Sequence, residues 1–319
     1  MSAHRWQRTA WCTLIVLVLA AVSAWTIEDM LVRPRRAIAH PPGDLALENV
    51  TLSSAAHISL KGWYMAGKPG RGAVVLLHGV RSNRLAMLPR ARWLHSLGYT
   101  VLLIDFRASG ESDGDRITFG ELESCDARAA VDYLHARVPQ ERIGVIGTSM
   151  GGAASLLAKP ALPVQALVLE QVYPSIDLAV QDRIQLHLGG GKWLAPLLLK
   201  SMAWRTGIDP AQLRPIVPIA SIVTPKLLIV GGADQHTPIN ESMDMYRQAS
   251  PPKQLWVVEG ARHVDLYHFD ASSYRARVGA FLETYLSRPG RNARPDMPSQ
   301  PGALGVTTAQ RLDATEHPP

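Results

Sequence analysis

Cysteine is almost absent from this chain of 319 residues: Cys12 lies in an apolar N-terminal run and Cys125 in a predicted helix. Two such residues build no metal spacing, no CxxC redox motif and no disulfide framework. They read as two small apolar side chains. Charge is sparse too, at 19% of residues, and the net excess of +6 is unevenly placed. Residues 1–40 hold five Arg against Glu28 and Asp29, a balance of +3. Residues 288–319 hold four Arg against Asp296, Asp313 and Glu316, a balance of +1. Only +2 is left for residues 41–287, so composition gives no support to a nucleic-acid binder. A hydrophobic share of 47% excludes a disordered or collagen-like chain. No internal repeat is visible.

What is present divides the chain. Residues 1–10 are a short basic tail carrying Arg5 and Arg8. Residues 11–27 (WCTLIVLVLAAVSAWTI) carry no charge and are flanked by Trp6, Trp11 and Trp25. That is the short end of a membrane-spanning length, with aromatics where an interface expects them. The favoured expectation is a transmembrane signal anchor with the body outside the cytoplasm, in the periplasm. The alternative is a signal peptide cleaved near Val22-Ser23-Ala24, which would release a secreted protein. Residues 28–44 form a Pro- and Arg-rich linker, 45–287 the main domain, and 288–319 a tail with six prolines that is expected to be disordered.

Within the main domain, strand-like and helix-like patterns alternate. Residues 45–53 and 56–65 read as a hairpin. AVVLL at 73–77, YTVLLIDF at 99–106, 142–146, ALVLEQV at 166–172, KLLIV at 226–230 and LWVV at 255–258 are continuous apolar runs, as for strands buried on both faces. Helical patterns cover 87–97, 120–137, 150–158 and 271–286. This predicts an α/β domain with a parallel sheet, helices on both faces and an antiparallel edge. Residues 174–224 break the rhythm and read as a helical cap insertion, with helices at 176–188 and 193–204. Trp193, Leu197, Leu198, Leu199 and Trp204 are expected to give that cap an apolar lining for an acyl or alcohol group.

Ligands in such sheets bind beyond the C-terminal strand ends. After the strand at 142–146 comes Gly147-Thr148-Ser149-Met150-Gly151, a G-x-S-x-G pattern at a strand-to-helix junction. The serine must stand exposed on a sharp turn, and Gly147 and Gly151 remove side chains that would collide there. Ser149 is therefore the candidate nucleophile. Its base and acid are expected downstream, in the order acid then histidine. Asp234 follows the strand KLLIV and His263 follows LWVV. Glu170 is the other candidate acid. His268 lies too near the last helix, and His236 too near Asp234, to be the base. The backbone N–H groups of Val80 and Met150 are the expected oxyanion donors, with His78 bracing their loop.

Taken in order, LLHGVRSNR (76–84), DFRASGESDG (105–114), GTSMGG (147–152), TPKLLIVGGADQHTPI (224–239) and GARHVDLY (260–267) resemble the α/β-hydrolase superfamily. More narrowly they are similar to membrane-anchored serine hydrolases of the serine-aminopeptidase-like group. The resemblance implies the α/β-hydrolase fold, with a mostly parallel eight-stranded sheet, and a Ser149–His263–Asp234 triad with Val80 and Met150 as oxyanion donors. It also implies that Asp105, Arg107 and Ser112 brace a loop. Two positions depart from the family pattern: Ala108-Ser109 follows Arg107, and Arg262 precedes the histidine. Neither removes a reacting group. The implied function is a cofactor-free, metal-free serine hydrolase acting on a small-molecule ester with a small or apolar acyl group. A peptidase or amidase is the alternative enzyme, with Asp177, Asp182 and Asp209 as candidate holders of an amino group. A catalytically silent binding module is the non-enzymatic alternative. Ser149 stands where a haloalkane dehalogenase needs a carboxylate, which disfavours that chemistry.

Overall fold

The continuous apolar runs of the sequence become the middle of one sheet. The strands are β1 (Glu48–Ser54), β2 (Ile58–Met65), β3 (Ala73–Leu77), β4 (Thr100–Ile104), β5 (Ile143–Thr148), β6 (Ala166–Glu170), β7 (Lys226–Gly231) and β8 (Lys253–Val258). In this computed structural model residues 29–287 are described, together with Trp6, Gln7, Trp11, Leu14, Ile15 and Thr26. The predicted anchor at 11–27 therefore falls almost wholly outside the described residues, and the predicted tail at 288–319 falls outside them entirely. Among the described residues no helix is long and apolar enough to cross a membrane.

The strand order is β8-β7-β6-β5-β3-β4-β2-β1. Pairing is parallel from β8 to β4; β2 runs antiparallel to β4, and β1 antiparallel to β2. Alternation explains why the central runs are apolar throughout. On β3, Val75 and Leu77 enter one core, while Val74 and Leu76 enter the other. All five β3 residues are fully buried, each large side chain contributing about 1.5–3 kcal/mol. Helices α1 (Leu88–Ser96) and α8 (Ala271–Leu286) cover one face through Trp93, Leu94, Tyr274, Val278 and Leu282. Helices α2 (Glu123–Arg137) and α3 (Met150–Leu157) cover the other through Ala130, Leu134, Met150 and Ala153.

The chain steps outward from β3 to β4 and then returns to place β5 on the far side of β3. The loops after β3 and β5 thus lie side by side, at the switch point where such sheets bind ligands. Between β6 and β7 the cap holds α4 (Ile176–Leu188) and α5 (Ala195–Thr206). Ser175 Oγ accepts from the Leu178 N–H at the start of α4, and Gly189 (φ 68°) closes its end.

Two features differ from the sequence reading. The described part of the linker, 29–44, is docked on the domain: the Arg35 N–H donates to the Ala108 carbonyl at 2.7 Å, and Val32 and Ala39 are buried. Helix α6 (Ile239–Gln248) comes in addition to the predicted helices; its mostly polar sequence INESMDMYRQ turns Met245 inward beside β7.

Candidate active site

Ser149 stands between β5 and α3 at φ 50° and ψ −112°. A non-glycine residue held there stores strain that the surroundings must hold in place. Its own N–H donates to the Glu170 carbonyl of β6 at 2.7 Å, and its carbonyl accepts from Ala153 at 3.0 Å. A Cβ on Gly151 would stand 2.4 Å from the Leu77 carbonyl oxygen, and one on Gly147 would stand 2.6 Å from the Gly151 carbonyl carbon. The glycines therefore let strand, turn and helix touch, as the motif predicts. Met150 opens α3, so its N–H has no intrahelical acceptor. Val80 follows Gly79, whose Cβ position lies 3.7 Å from Ser149 Cβ. The Val80 N–H makes no hydrogen bond among the described residues. His78 is buried; its Nδ1 lies 2.7 Å from the Gly79 carbonyl, and its Nε2 accepts from the Phe106 N–H at 3.1 Å. Burial lowers its pKa, so the ring stays neutral and braces this loop.

Asp234, after β7, and His263, after β8, meet. His263 Nδ1 lies 2.8 Å from Asp234 Oδ2, which leaves Nε2 as the imidazole nitrogen that can accept a proton. Asp234 Oδ1 accepts from the backbone N–H groups of His236 (2.7 Å) and Thr237 (3.1 Å). Burial pushes this carboxyl up, but the bonds from His263 and the two N–H groups outweigh it and hold the pKa low. His263 keeps 20% of its side chain exposed, while Ser149 is 7% exposed. The site is thus reachable but largely dry.

Sequence reading missed three supports. Gln171, at φ 51°, donates from Nε2 to Asp234 Oδ2 (3.1 Å) and to the Arg262 carbonyl (2.7 Å). It clamps the acid to the histidine loop, and no pattern marks a lone glutamine beyond a strand end. Gln171→Ala is expected to lower kcat about tenfold with little change in KM, because Asp234 loses one donor and its fixed direction. Steady-state kinetics beside an unchanged circular dichroism spectrum checks this. His236 stacks on His263, with centroids 5.0 Å apart and planes at 14°. Burial, together with the charges of Arg183 and His263, pushes His236 down to about 4. Arg183 of α4 donates to the His236 carbonyl at 2.7 Å and so ties the cap to the acid loop.

The other candidate acid, Glu170, has a different role. Arg90 of α1 grips it through Nη2 (2.7 Å) and Nε (3.1 Å), and the hydroxyls of Tyr274 and Thr148 also donate to it. It is fully buried and makes no hydrogen bond to His263. His268 pairs with Asp265 at 2.7 Å. The implied brace is present. Asp105 accepts from the Arg84 side chain and from the backbone of Arg84 and Glu111, and Ser112 Oγ donates to the Asp105 carbonyl. Arg107 forks onto Asp126. Arg262 is exposed.

The expected apolar lining is corrected. Trp193 is 80% exposed, Leu197 66% and Trp204 74%, so all three face outward rather than into the site. Leu199 packs into the core. Helix α5 is apolar on both sides, and composition alone could not say which side is inward. A cavity of about 460 Å³ opens beside Ser54, Cys125 and Tyr133, and none of the site residues lines it. No group of three or more His, Cys, Asp or Glu side chains is placed to hold a metal among the described residues.

Between cap and body, Asp182 of α4 meets Glu241 of α6. Burial, and then the charge of Asp182, pushes Glu241 up to about 8. Lys192 Nζ, 3.8 Å from Asp182, offsets part of this. A raised carboxyl stabilises the fold fully below its unfolded pKa of about 4.3, and that stability is lost as pH rises towards 8. Thermal unfolding across pH 5 to 8 is expected to show wild type losing about 1–3 kcal/mol relative to Glu241→Gln. Parallel curves would show that Glu241 does not titrate above the ordinary carboxylate range.

A family model described as serine aminopeptidase, S33, matches residues 68–214. The chain is 26% identical to an esterase of Pyrococcus furiosus, at a TM-score of 0.67, covering 81% of this chain and 99% of that one. It is 29% identical over 281 residues to an uncharacterised protein of Mycobacterium tuberculosis, covering 84% of this chain and 94% of that protein. An uncharacterised protein of Bacillus subtilis is 26% identical over 237 residues, covering 73% and 78%.

Proposed function

The chain belongs to the α/β-hydrolase superfamily, and on that premise we propose that this hydrolase cleaves carboxylic esters through an acyl-enzyme on Ser149. The observation that carries the reading is the Asp234–His263 hydrogen bond, set in loops after β7 and β8, with Gln171 joining Asp234 to the strand end whose Glu170 carbonyl takes the Ser149 N–H. His263 Nε2 takes the Ser149 proton as Oγ attacks the carbonyl carbon. The N–H groups of Met150 and Val80 receive the developing oxyanion. His263 then returns the proton to the leaving alcohol, and water, activated by the same imidazole, releases the acid. Asp234 fixes the ring and balances its transient charge. The Pyrococcus furiosus esterase supports ester over amide, whereas the aminopeptidase model supports amide cleavage as the second reading.

The test is labelling of the full chain with a fluorophosphonate, followed by peptide mapping. A single adduct on Ser149 is expected; no adduct, or one elsewhere, overturns the reading and leaves a binding module. Acyl-chain series of nitrophenyl esters beside aminoacyl amides then separate the two enzymes and size the acyl group. In the same reading residues 11–27 hold the chain at a membrane with the domain on the extracytoplasmic side. Mass analysis of the mature N-terminus tests it: a chain beginning near Trp25 would mean cleavage and secretion instead.

A further inference from the structure

The outer face of the cap is unusual for a surface. Along α5 and the turn before it, Trp193, Leu197 and Lys200 recur at helical spacing and are all exposed, while Ala195, Leu199 and Met202 on the other side are buried. Leu188, at the end of α4, adds a further apolar side chain at 68% exposure. Between residues 183 and 208 the sequence holds Arg183, Lys192, Lys200 and Arg205 and no carboxylate. Tryptophan and leucine rimmed by lysine is the composition of a helix that lies in a bilayer interface. Trp193 and Leu197, at 80% and 66% exposure, turn large apolar side chains to the outside of the cap.

Asp29 and Met30 lie on the same edge. Asp29 Oδ1 is 3.2 Å from Arg205 Nη1 at the end of α5, and Arg81 donates to the Met30 carbonyl. Only Glu28 separates residue 29 from the uncharged run 11–27. A second copy fits this face poorly, because a two-fold contact would set Lys200 against its own copy, while Lys192 and Arg205 already have Asp182 and Asp29 as partners. We propose that the α5 face of the cap docks on the surface of an anionic lipid bilayer, with Trp193 and Leu197 inserted among the acyl chains and Lys192 and Lys200 at the headgroups. Arg183 joins the same cap to the loop of Asp234 and His236. Resting on the esterase reading, the docked cap would receive its ester from the lipid phase.

The experiment places the full chain in vesicles of phosphatidylcholine and phosphatidylglycerol. Both native cysteines are replaced by serine, and Leu197→Cys carries the polarity-sensitive fluorophore NBD. Gln254→Cys, on exposed β8, is the control. A blue-shifted emission at 197, quenched by phosphatidylcholine carrying a shallow doxyl group, is expected, with neither effect at 254. Water-like emission at 197 overturns the proposal. So does a blue shift that doxyl lipid leaves unquenched, which would mean that a second copy or the chain's own N-terminal run covers the face. In kinetics, Trp193→Ser with Leu197→Ser should lower hydrolysis of a bilayer-dissolved ester about tenfold and leave a water-soluble ester unchanged. A wild type that cleaves neither ester defeats the esterase reading, while the fluorescence still decides the docking.

Discussion

Ser149→Ala is expected to lower kcat by about 10⁶-fold, and Asp234→Asn by about 10⁴-fold, with KM nearly unchanged in both. The first removes the hydroxyl held at the strained corner of the turn; Met150 offers no oxygen, and the Thr148 hydroxyl is bound to Glu170. The second keeps the shape and loses the charge. Asp234 Oδ2 now accepts from both His263 Nδ1 and Gln171 Nε2. An asparagine NH₂ at that position would confront two donors. The imidazole could answer only by placing its proton on Nε2, and then it could no longer take one from Ser149. Single-turnover acylation of a nitrophenyl ester measures both variants, with purity set by the residual rate of Ser149→Ala. An Asp234→Asn enzyme within tenfold of wild type would show that Asp234 is not the orienting acid.

How much of this was legible in the sequence depends on how local each signal is. The nucleophile turn is local: Gly147, Ser149 and Gly151 lie within five residues, and the close backbone approach that requires them is built by those same residues. The buried strands are local too, because burial on both faces erases the alternation and leaves plain apolar runs such as AVVLL. Asp234 and His263 were legible as loop residues after late strands, although their contact spans 29 residues. What stayed hidden is pairing across the fold. Arg90 sits in an ordinary helical sequence, LPRARWLHS, where arginine normally faces water, and nothing there points to Glu170, 80 residues on. Glu170 itself, at a strand end beside the nucleophile, has the position of a triad acid and differs from one only in its partners. The cap misled for another reason. Its helix α5 carries large apolar residues on both sides, and direction was the one thing the pattern could not give.

Arg90→Ala should give one of the largest losses of stability, about 3–5 kcal/mol, with a fall in melting temperature on the order of 10 °C. Arg90 joins four elements. Its guanidinium holds Glu170 at the end of β6 and lies 2.8 Å from Asp265, and its ring neighbours are Tyr267 and Tyr274. Removing it leaves Glu170, fully buried, with only the Tyr274 and Thr148 hydroxyls as side-chain donors. A buried charge without its partner costs more than the pair contributed. Arg90→Leu with Glu170→Leu removes both charges and should recover most of the loss, so the cost belongs to the orphaned carboxylate rather than to missing volume. The same substitutions should reach the chemistry. Asp265 stands two residues after His263 and caps the short helix Leu266–Phe269, and Glu170 lends its carbonyl to the Ser149 N–H. With the pair gone, both the base and the nucleophile turn lose an anchor, and the double variant is expected to regain stability without regaining full kcat. Calorimetry and kinetics on the three proteins decide it: full activity in the double variant would make the network structural only, and an Arg90→Ala protein as stable as wild type would defeat the account of its charge.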